Sequence, residues 1–120
     1  MRIAIIGGGV IARLFLEHIA RGDMGEASVV AIQGRSAASR GRPLAEQYGV
    51  PFVTSLDALI AEHPEVVIEA ASHDAVREFA RPLLKQGIPV IVLSGGALCD
   101  DALRERLEAA AAKYKTLLYV

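Results

Sequence analysis

The sequence is poor in the residues that mark several common classes of protein. It contains no tryptophan, three tyrosines and three phenylalanines, which leaves little aromatic surface for stacking on nucleobases. Its one cysteine, Cys99, excludes an intrachain disulfide and predicts a cytoplasmic protein of a reducing compartment. The formal net charge of -1 does not favour a polyanionic partner, so we expect no binding of nucleic acid.

Long apolar runs are also missing. The first such run is interrupted at Gly7, too early for a secretory signal or a membrane span, and we expect no membrane partner. Hydrophobic residues nevertheless make up 52% of the chain, which is enough to bury a core. The length of 120 residues predicts a single domain that covers residues 1–120.

Six short segments rich in valine, isoleucine and leucine recur along the chain. Most of them are almost continuously apolar, which is typical of strands buried on both faces of a parallel sheet. The predicted strands are Arg2–Ile6, Ser28–Gln33, Pro51–Thr54, Val66–Ala70, Pro89–Ser94 and Thr116–Val120.

Segments with a helical period separate these strands. We predict that Ser55 caps a helix over Leu56–Ala61, and that Pro43 and Gly49 lie in the first turn and at the end of the second helix. In the first helix, one apolar face is formed by Ile11, Leu14, Phe15 and Ile19. Six strands alternating with five helices predict a doubly wound parallel sheet, the Rossmann fold, with strand order 3-2-1-4-5-6.

The first strand runs directly into the sequence GGGVIA at residues 7–12, which matches the pattern G-x-G-x-x-A. Gly7 lets the chain turn tightly, Gly9 lets a pyrophosphate approach the backbone, and Ala12 lets the helix pack close to the strand. The helix that follows directs free N–H groups toward the phosphates. We therefore predict a dinucleotide site that includes Gly7, Gly9, Val10, Ile11 and Ala12.

The residues after the second strand bear on the choice between NAD and NADP. An NAD-specific site places an acid there to bind ribose hydroxyls, whereas this chain has Gly34, followed by Arg35 and Ser36. Loss of the carboxylate removes repulsion of a 2′-phosphate, with which Arg35 can pair and Ser36 can form a hydrogen bond. We predict NADP as the preferred cofactor and NAD as the other, and we interpret Arg40 and Arg42 as solvated loop residues.

Small residues follow the fourth and fifth strands. In an open α/β sheet the ligand lies beyond the carboxyl ends of the strands, at the point where the strand order reverses. We predict that space for the nicotinamide ring and its ribose is left by Ala70, Ala71, Ser94, Gly95, Gly96 and Ala97.

Reactive side chains near these loops are better explained by structural roles. We interpret His73 as a helix-start residue with an exposed ring, a catalytic role being the less favoured alternative. Cys99 has no paired base and is predicted to be a small core residue. Glu69 has no second carboxylate and is expected to bond nearby backbone. Asp100 and Asp101 favour the start of the last helix. The histidines and Cys99 lack metal-ligand spacing, so we predict neither a metal site nor a catalytic residue here.

Three segments of the sequence resemble the N-terminal half of L-aspartate dehydrogenases, namely Met1–Ala12, Val66–Ala80 and Pro89–Leu103. Many dehydrogenases share the glycine turn. The patterns E-A-A-x-x-x-A-V-R-E at residues 69–78 and V-x-S-G-G-A-L at residues 92–98 are much more specific to this family. The resemblance extends over essentially all 120 residues.

The resemblance implies an NAD(P)-dependent homodimer that oxidatively deaminates L-aspartate to iminoaspartate, which feeds NAD biosynthesis or hydrolyses to oxaloacetate and ammonia. It implies that Gly7, Gly9, Val10 and Ile11 bind the pyrophosphate. It assigns Arg35 and Ser36 to the adenosine end, and Ala70, Ala71 and Ser94–Ala97 to the nicotinamide side. Members of the family often carry an acid at the end of the second strand, where this chain has residues 34–36 with the sequence GRS.

The family has a second domain that supplies the catalytic histidine and the pocket for the amino-acid substrate. That domain would begin near Val120, so we expect this chain to bind cofactor without dehydrogenase activity of its own. We also expect apolar surface left uncovered by the second domain to promote association between copies.

Two other functions stay open. The chain is also compatible with the front domain of an enzyme like homoserine dehydrogenase or dihydrodipicolinate reductase, which only the second domain would distinguish. A stand-alone regulatory or nucleotide-binding module, such as a redox sensor or a CoA-binding domain, is the alternative from another class. The turn at Gly7 and Gly9 argues against a scaffold without a ligand.

Overall fold

The strands form one parallel sheet in the order β3-β2-β1-β4-β5-β6, as a computed structural model of residues 1–120 shows. They are β1 (Arg2–Ile6), β2 (Ser28–Gln33), β3 (Phe52–Val53), β4 (Val66–Glu69), β5 (Val90–Val92) and β6 (Leu118–Tyr119). The predicted fold class and strand order are confirmed. Strands β3 and β5 begin one residue later than predicted because Pro51 and Pro89 have no N–H to donate. The carbonyl groups of these two prolines still accept hydrogen bonds from the sheet.

Helical segments connect the strands. They are α1 (Val10–Ala20), α2 (Gly41–Tyr48), α3 (Leu56–Ala61), α4 (His73–Ala75), α5 (Arg81–Lys85) and α6 (Asp101–Lys113). A π-helical turn over Val76–Ala80 joins α4 to α5, so the two form one continuous segment, and a 3₁₀ turn over Gly95–Cys99 precedes α6. As predicted, five main helical segments alternate with the six strands.

Local sequence explains where several helices begin and end. The hydroxyl of Ser55 caps α3 by accepting a hydrogen bond from the N–H of Ala58 at 3.2 Å. Gly49 ends α2 in the left-handed conformation, with φ 66°. Pro82 follows the π-helical turn and has no N–H to donate to the carbonyl of Glu78, which favours the wider turn.

The hydrophobic core has two layers because the sheet is covered on both faces. Strand β1 shows the division, since Ala4 and Ile6 pack into a cluster with α3 to α6, whereas Ile3 and Ile5 pack beneath α1 and α2. Burial on both faces accounts for the continuous apolar runs of the strands. None of the helices has the length and apolar composition needed to cross a membrane.

Helix α1 packs on the sheet through a narrower face than its sequence predicts. Ala12 and Leu16 are buried, whereas Ile11 and Leu14, on the predicted apolar face, are 53% and 45% exposed. The apolar face of α1 is wider than the contact between this helix and the sheet, so part of that face stays uncovered. Together with Phe15 and Leu93, Ile11 therefore lines an open apolar cleft of about 220 Å³ between α1 and β5.

Candidate functional site

A cavity of about 570 Å³ opens at the carboxyl ends of β1 to β4, within the range of cofactor pockets. The strand order reverses between β1 and β4, which is where this fold class binds ligands. The lining comes from the glycine turn, from the loops after β2, β3 and β4, and from the π-helical turn. Its residues are Ile6–Gly9, Gln33–Arg35, Ala38–Gly41, Thr54, Ala70–Ser72, Ala75, Glu78 and Phe79.

The glycine turn lines this cavity. Gly7 has φ 123°, its N–H donates to the carbonyl of Gln33 at 2.9 Å, and a Cβ there would lie 2.5 Å from the carbonyl oxygen of Ala70. Gly7 is therefore required by the turn itself. Gly9 is different, because a Cβ there would meet only the guanidinium of Arg40, at 3.6 Å. Gly9 faces open space that a phosphate can occupy.

The start of α1 completes the geometry of the turn. No side chain caps α1, so the N–H groups of its first turn have no side-chain partner. Val10 and Ile11 carry two of these groups and have exposed side chains outside the lining of the main cavity. Ala12 is 1% exposed and packs against the sheet, which is the close approach of helix and strand expected of this position.

A third glycine of the turn contacts the start of α2, which sequence reasoning missed. A Cβ at Gly8 would collide with the backbone nitrogen of Gly41, so α2 begins directly against the turn. This contact brings the guanidinium of Arg40 beside Gly9, between the main cavity and an adjacent one of about 390 Å³. Arg40 is exposed in the turn before α2, so its interpretation as a solvated loop residue is confirmed. Sequence reasoning missed that this exposed side chain also lines both cavities.

Arg42 is solvated, as predicted. Its side chain points along α2 and pairs with Glu46 at 3.4 Å, and both residues are more than half exposed. Arg40 and Arg42 thus have different surroundings, because Arg40 precedes α2 and Arg42 lies in its first turn.

The loop after β2 has one basic residue and a tight turn at the cavity. Arg35 lines the cavity, whereas Ser36 does not, because its hydroxyl accepts a hydrogen bond from the N–H of Ala38 at 3.2 Å. A Cβ at Gly34 would lie 2.6 Å from the Cβ of Ser39 and 2.9 Å from the ring of Phe52. Packing thus excludes a side chain at Gly34, the position at which an acid would bind ribose hydroxyls.

Gln33, the last residue of β2, was not predicted as a site residue. It is 2% exposed and lines the cavity, and its Oε1 atom has no hydrogen-bond partner. A buried amide oxygen is normally paired. Glutamine at the end of an otherwise apolar strand was the signal that sequence reasoning left unused.

The loops after β4 and β5 are joined by a buried carboxylate. The Oε2 atom of Glu69 accepts hydrogen bonds from the N–H groups of Ala71 and Ser72 and from the hydroxyl of Ser94, at 2.8, 2.9 and 2.8 Å. Its Oε1 atom accepts from the N–H of Ser94 at 2.9 Å. The expectation that Glu69 bonds nearby backbone is confirmed, and the carboxylate also fixes the loop after β5.

The two loops contribute unequally to the cavity. Ala70 and Ala71 line it, whereas none of the four residues Ser94–Ala97 does. The latter begin the 3₁₀ turn, in which Ala97 is 1% exposed and packs into the core. The segments predicted for the nicotinamide side thus meet through Glu69, and only the first of them reaches the cavity.

The remaining reactive side chains lie outside the cavity. His73 begins α4 and is exposed, as predicted, with its ring against Gly96. Cys99 is exposed, so its assignment to the core is wrong. The 3₁₀ turn directs Ala97 and Leu98 inward and leaves Cys99 facing solvent. No group of three or more histidine, cysteine, aspartate or glutamate side chains could hold a metal ion.

A parallel sheet of this order, with a glycine turn that leads into a helix at its switch point, defines a dinucleotide-binding domain of the Rossmann type. Residues 7–120 match the family model described as "Homoserine dehydrogenase, NAD binding domain". The chain belongs to this family of NAD-binding domains.

Relatives of known name agree with this assignment. The L-aspartate dehydrogenase 1 of Bordetella parapertussis is 39% identical over 113 residues, which are 93% of this chain and 41% of that protein. The predicted resemblance to L-aspartate dehydrogenases is therefore confirmed, and the chain spans about two fifths of the length of that relative.

Solved structures share the fold. The biliverdin reductase of Synechocystis, in complex with biliverdin and NADP+, is 28% identical with a TM-score of 0.83, over 99% of this chain and 37% of that one. The WlbA dehydrogenase of Bordetella pertussis, in complex with NADH and UDP-GlcNAcA, has the same TM-score of 0.83 at 20% identity, over 99% of this chain and 36% of that one.

Proposed function

We propose that this chain is the cofactor-binding domain of an NAD(P)-dependent L-aspartate dehydrogenase, and that its cavity binds the dinucleotide. The observation that carries the proposal is the pairing of an open Gly9 with the uncapped N-terminus of α1. The pyrophosphate would bind these backbone N–H groups, with the guanidinium of Arg40 beside it. When bound, the cofactor would accept a hydride from the Cα of L-aspartate, which leaves iminoaspartate.

We further propose that NADP is preferred over NAD. A side chain at position 34 is excluded by Ser39 and Phe52, so no acid is available to bind ribose hydroxyls or to repel a 2′-phosphate. Arg35 lines the cavity, forms no ion pair within the chain, and can pair with such a phosphate. The similarity to the biliverdin reductase of Synechocystis, whose structure contains NADP+, supports the same preference. Ser36, with its hydroxyl already bonded to Ala38, would contribute less than Arg35.

On the nicotinamide side, we propose that Glu69 holds the loops after β4 and β5 at a fixed separation. Ala70 and Ala71 would then face the ribose and ring, and the adjoining Ser94–Ala97 turn would border them. The substrate pocket and the catalytic groups would be contributed by residues outside these 120, since the chain spans about two fifths of the length of the L-aspartate dehydrogenase that it matches. A cytoplasmic homodimer is part of the same proposal.

Two titrations test this function. The 120-residue chain should quench or shift the fluorescence of NADPH at lower concentrations than that of NADH, and it should not reduce NADP+ when L-aspartate is added. Absence of binding by either cofactor would contradict the proposal, and equal affinity would contradict the preference for NADP. If the parent enzyme oxidised L-homoserine and not L-aspartate, the proposal of L-aspartate as substrate would be contradicted, and an enzyme like homoserine dehydrogenase would be favoured.

A further inference from the structure

Glu78 is the one acidic residue that lines the cavity, whose other charged residues are Arg35 and Arg40. The side chain of Glu78 is exposed and forms no ion pair within the chain. Its neighbour Arg77 pairs instead with Asp74, at 3.1 Å. A carboxylate near bound phosphates repels them, so we expect Glu78 to make a compensating contact with another part of the ligand.

The π-helical turn over Val76–Ala80 places Glu78 beside an apolar wall of the cavity. A π-helical turn is wider than an α-helical one, and such turns recur at functional sites. Here the consecutive residues Glu78 and Phe79 both line the cavity, together with Ala75 from the preceding turn. Phe79 is half-buried against the core and offers part of its ring to the cavity. A free carboxylate thus adjoins a surface on which a flat ring can pack.

This wall belongs to the part of the cavity next to the ends of β2 and β3. Phe79 packs on the same core layer as Val53, the last residue of β3. Thr54, which follows Val53, lines the cavity, as does Arg35 after β2. Because Arg35 is proposed to bind a phosphate on the adenosine ribose, the base carried by that ribose would lie beside the wall.

We propose that the carboxylate of Glu78 accepts a hydrogen bond from the 6-amino group of the cofactor's adenine, whose ring packs against Ala75 and Phe79. This assignment rests on the proposed function, since it presumes that a dinucleotide occupies the cavity. The 6-amino group of adenine is a donor, whereas the 6-oxo group of hypoxanthine or guanine is an acceptor that a carboxylate repels. Glu78 then selects adenine among the purines, separately from the phosphate contacts of the glycine turn and of Arg35.

The test compares NADPH with deamino-NADPH, in which hypoxanthine replaces adenine, by fluorescence titration. We expect the wild-type protein to bind NADPH about fivefold more tightly than the analogue, and Glu78→Met to bind the two within about twofold of each other. Loss of a negative charge also weakens the repulsion of phosphates, which both cofactors share, so the ratio of the two affinities is the readout. Asp74→Asn removes a charge from the same helical segment outside the cavity lining, and as the matched control it should keep the fivefold ratio.

Thermal unfolding shows whether the variant keeps the fold. Because Glu78 is exposed and unpaired, the midpoint of Glu78→Met should stay within about 4 °C of wild type. Equal affinity of the wild-type protein for NADPH and deamino-NADPH, or a fivefold ratio retained by Glu78→Met, would overturn the role of Glu78 while leaving dinucleotide binding intact. If the wild-type protein binds neither cofactor, the proposed function itself fails.

Discussion

Ser94 donates two hydrogen bonds to the carboxylate of Glu69, one from its N–H at 2.9 Å and one from its hydroxyl at 2.8 Å. Glu69 ends β4 and Ser94 follows β5, so this pair joins two loops that are 25 positions apart in sequence. The same carboxylate bonds the N–H groups of Ala71 and Ser72. Four donors therefore converge on one buried carboxylate, and the relative positions of these two loops depend on it.

The variant Glu69→Gln tests this convergence. A glutamine replaces one acceptor oxygen with an NH₂ group that would face N–H or O–H donors, so donors would be left unpaired in a buried site. We expect the free energy of unfolding to fall by about 2–4 kcal/mol, measured by urea denaturation. Glu105→Gln, on the exposed face of α6, should change it by less than about 0.5 kcal/mol. Equal stability of the two variants would contradict the role of the carboxylate.

Gly8 and Gly9 have different surroundings in the glycine turn, and we propose that only Gly9 contacts the cofactor. Gly8→Ala would place a methyl group against the backbone of Gly41, and we expect a loss of about 3 kcal/mol of stability. Gly9→Ala meets only the end of the Arg40 side chain, so its stability should stay within about 1 kcal/mol of wild type. Its affinity for NADPH should nevertheless fall about tenfold or more, because the methyl group would fill the space that we propose for the pyrophosphate.

Thermal melting followed by circular dichroism measures the stability of both variants. Titration of the folded variants with NADPH then measures their affinity for the cofactor. A Gly9→Ala protein that binds NADPH as wild type does would show that the pyrophosphate does not approach this residue.

Three arginines near α2 should differ in their effect on the two cofactors. Arg35→Ala should lower the affinity for NADPH about 10- to 100-fold, the size expected when a hydrogen-bonded charge pair is lost, and leave NADH within about threefold. Arg40→Ala should weaken both cofactors, because its guanidinium lies beside Gly9, where the shared pyrophosphate would bind. Arg42→Ala, which removes only a solvated pair with Glu46, serves as the control and should affect neither.

Calorimetric titration of each of the three variants with NADPH and with NADH measures the affinities that this prediction compares. Loss of NADH affinity in Arg35→Ala equal to the loss of NADPH affinity would show that Arg35 does not bind the 2′-phosphate.

Cys99 should react as an exposed thiol. Because its side chain is open to solvent at the end of the 3₁₀ turn, we expect one equivalent of a thiol reagent to react with the native protein. Cys99→Ser should leave the free energy of unfolding within about 0.5 kcal/mol of wild type, as for other surface substitutions. The number of thiols that react is measured by the absorbance of the chromophore that the reagent releases. If Cys99 reacted only after denaturation, its exposed position would be contradicted.

Much of the fold could be predicted from the sequence because its signals are local. The apolar runs located all six strands, and Ser55 and Gly49 located the cap of α3 and the end of α2. The burial of Cys99 was predicted wrongly, and Leu14, on the predicted apolar face of α1, is exposed. Hydrophobic character alone does not say which part of a helix a neighbouring element covers, and a short 3₁₀ turn changes the direction of successive side chains.

The sequence by itself determined the parallel sheet and its order, and it located the turn at Gly7 and Gly9. These features follow from residue size, backbone freedom and the period of apolar positions, which act over a few neighbouring residues. Only the tertiary structure decided that Arg40 lies against that turn, that Gln33 is left without a partner, and that Glu69 holds Ser94. Each of these depends on contacts between segments distant along the chain, whose distances are fixed only when the strands align and the helices pack.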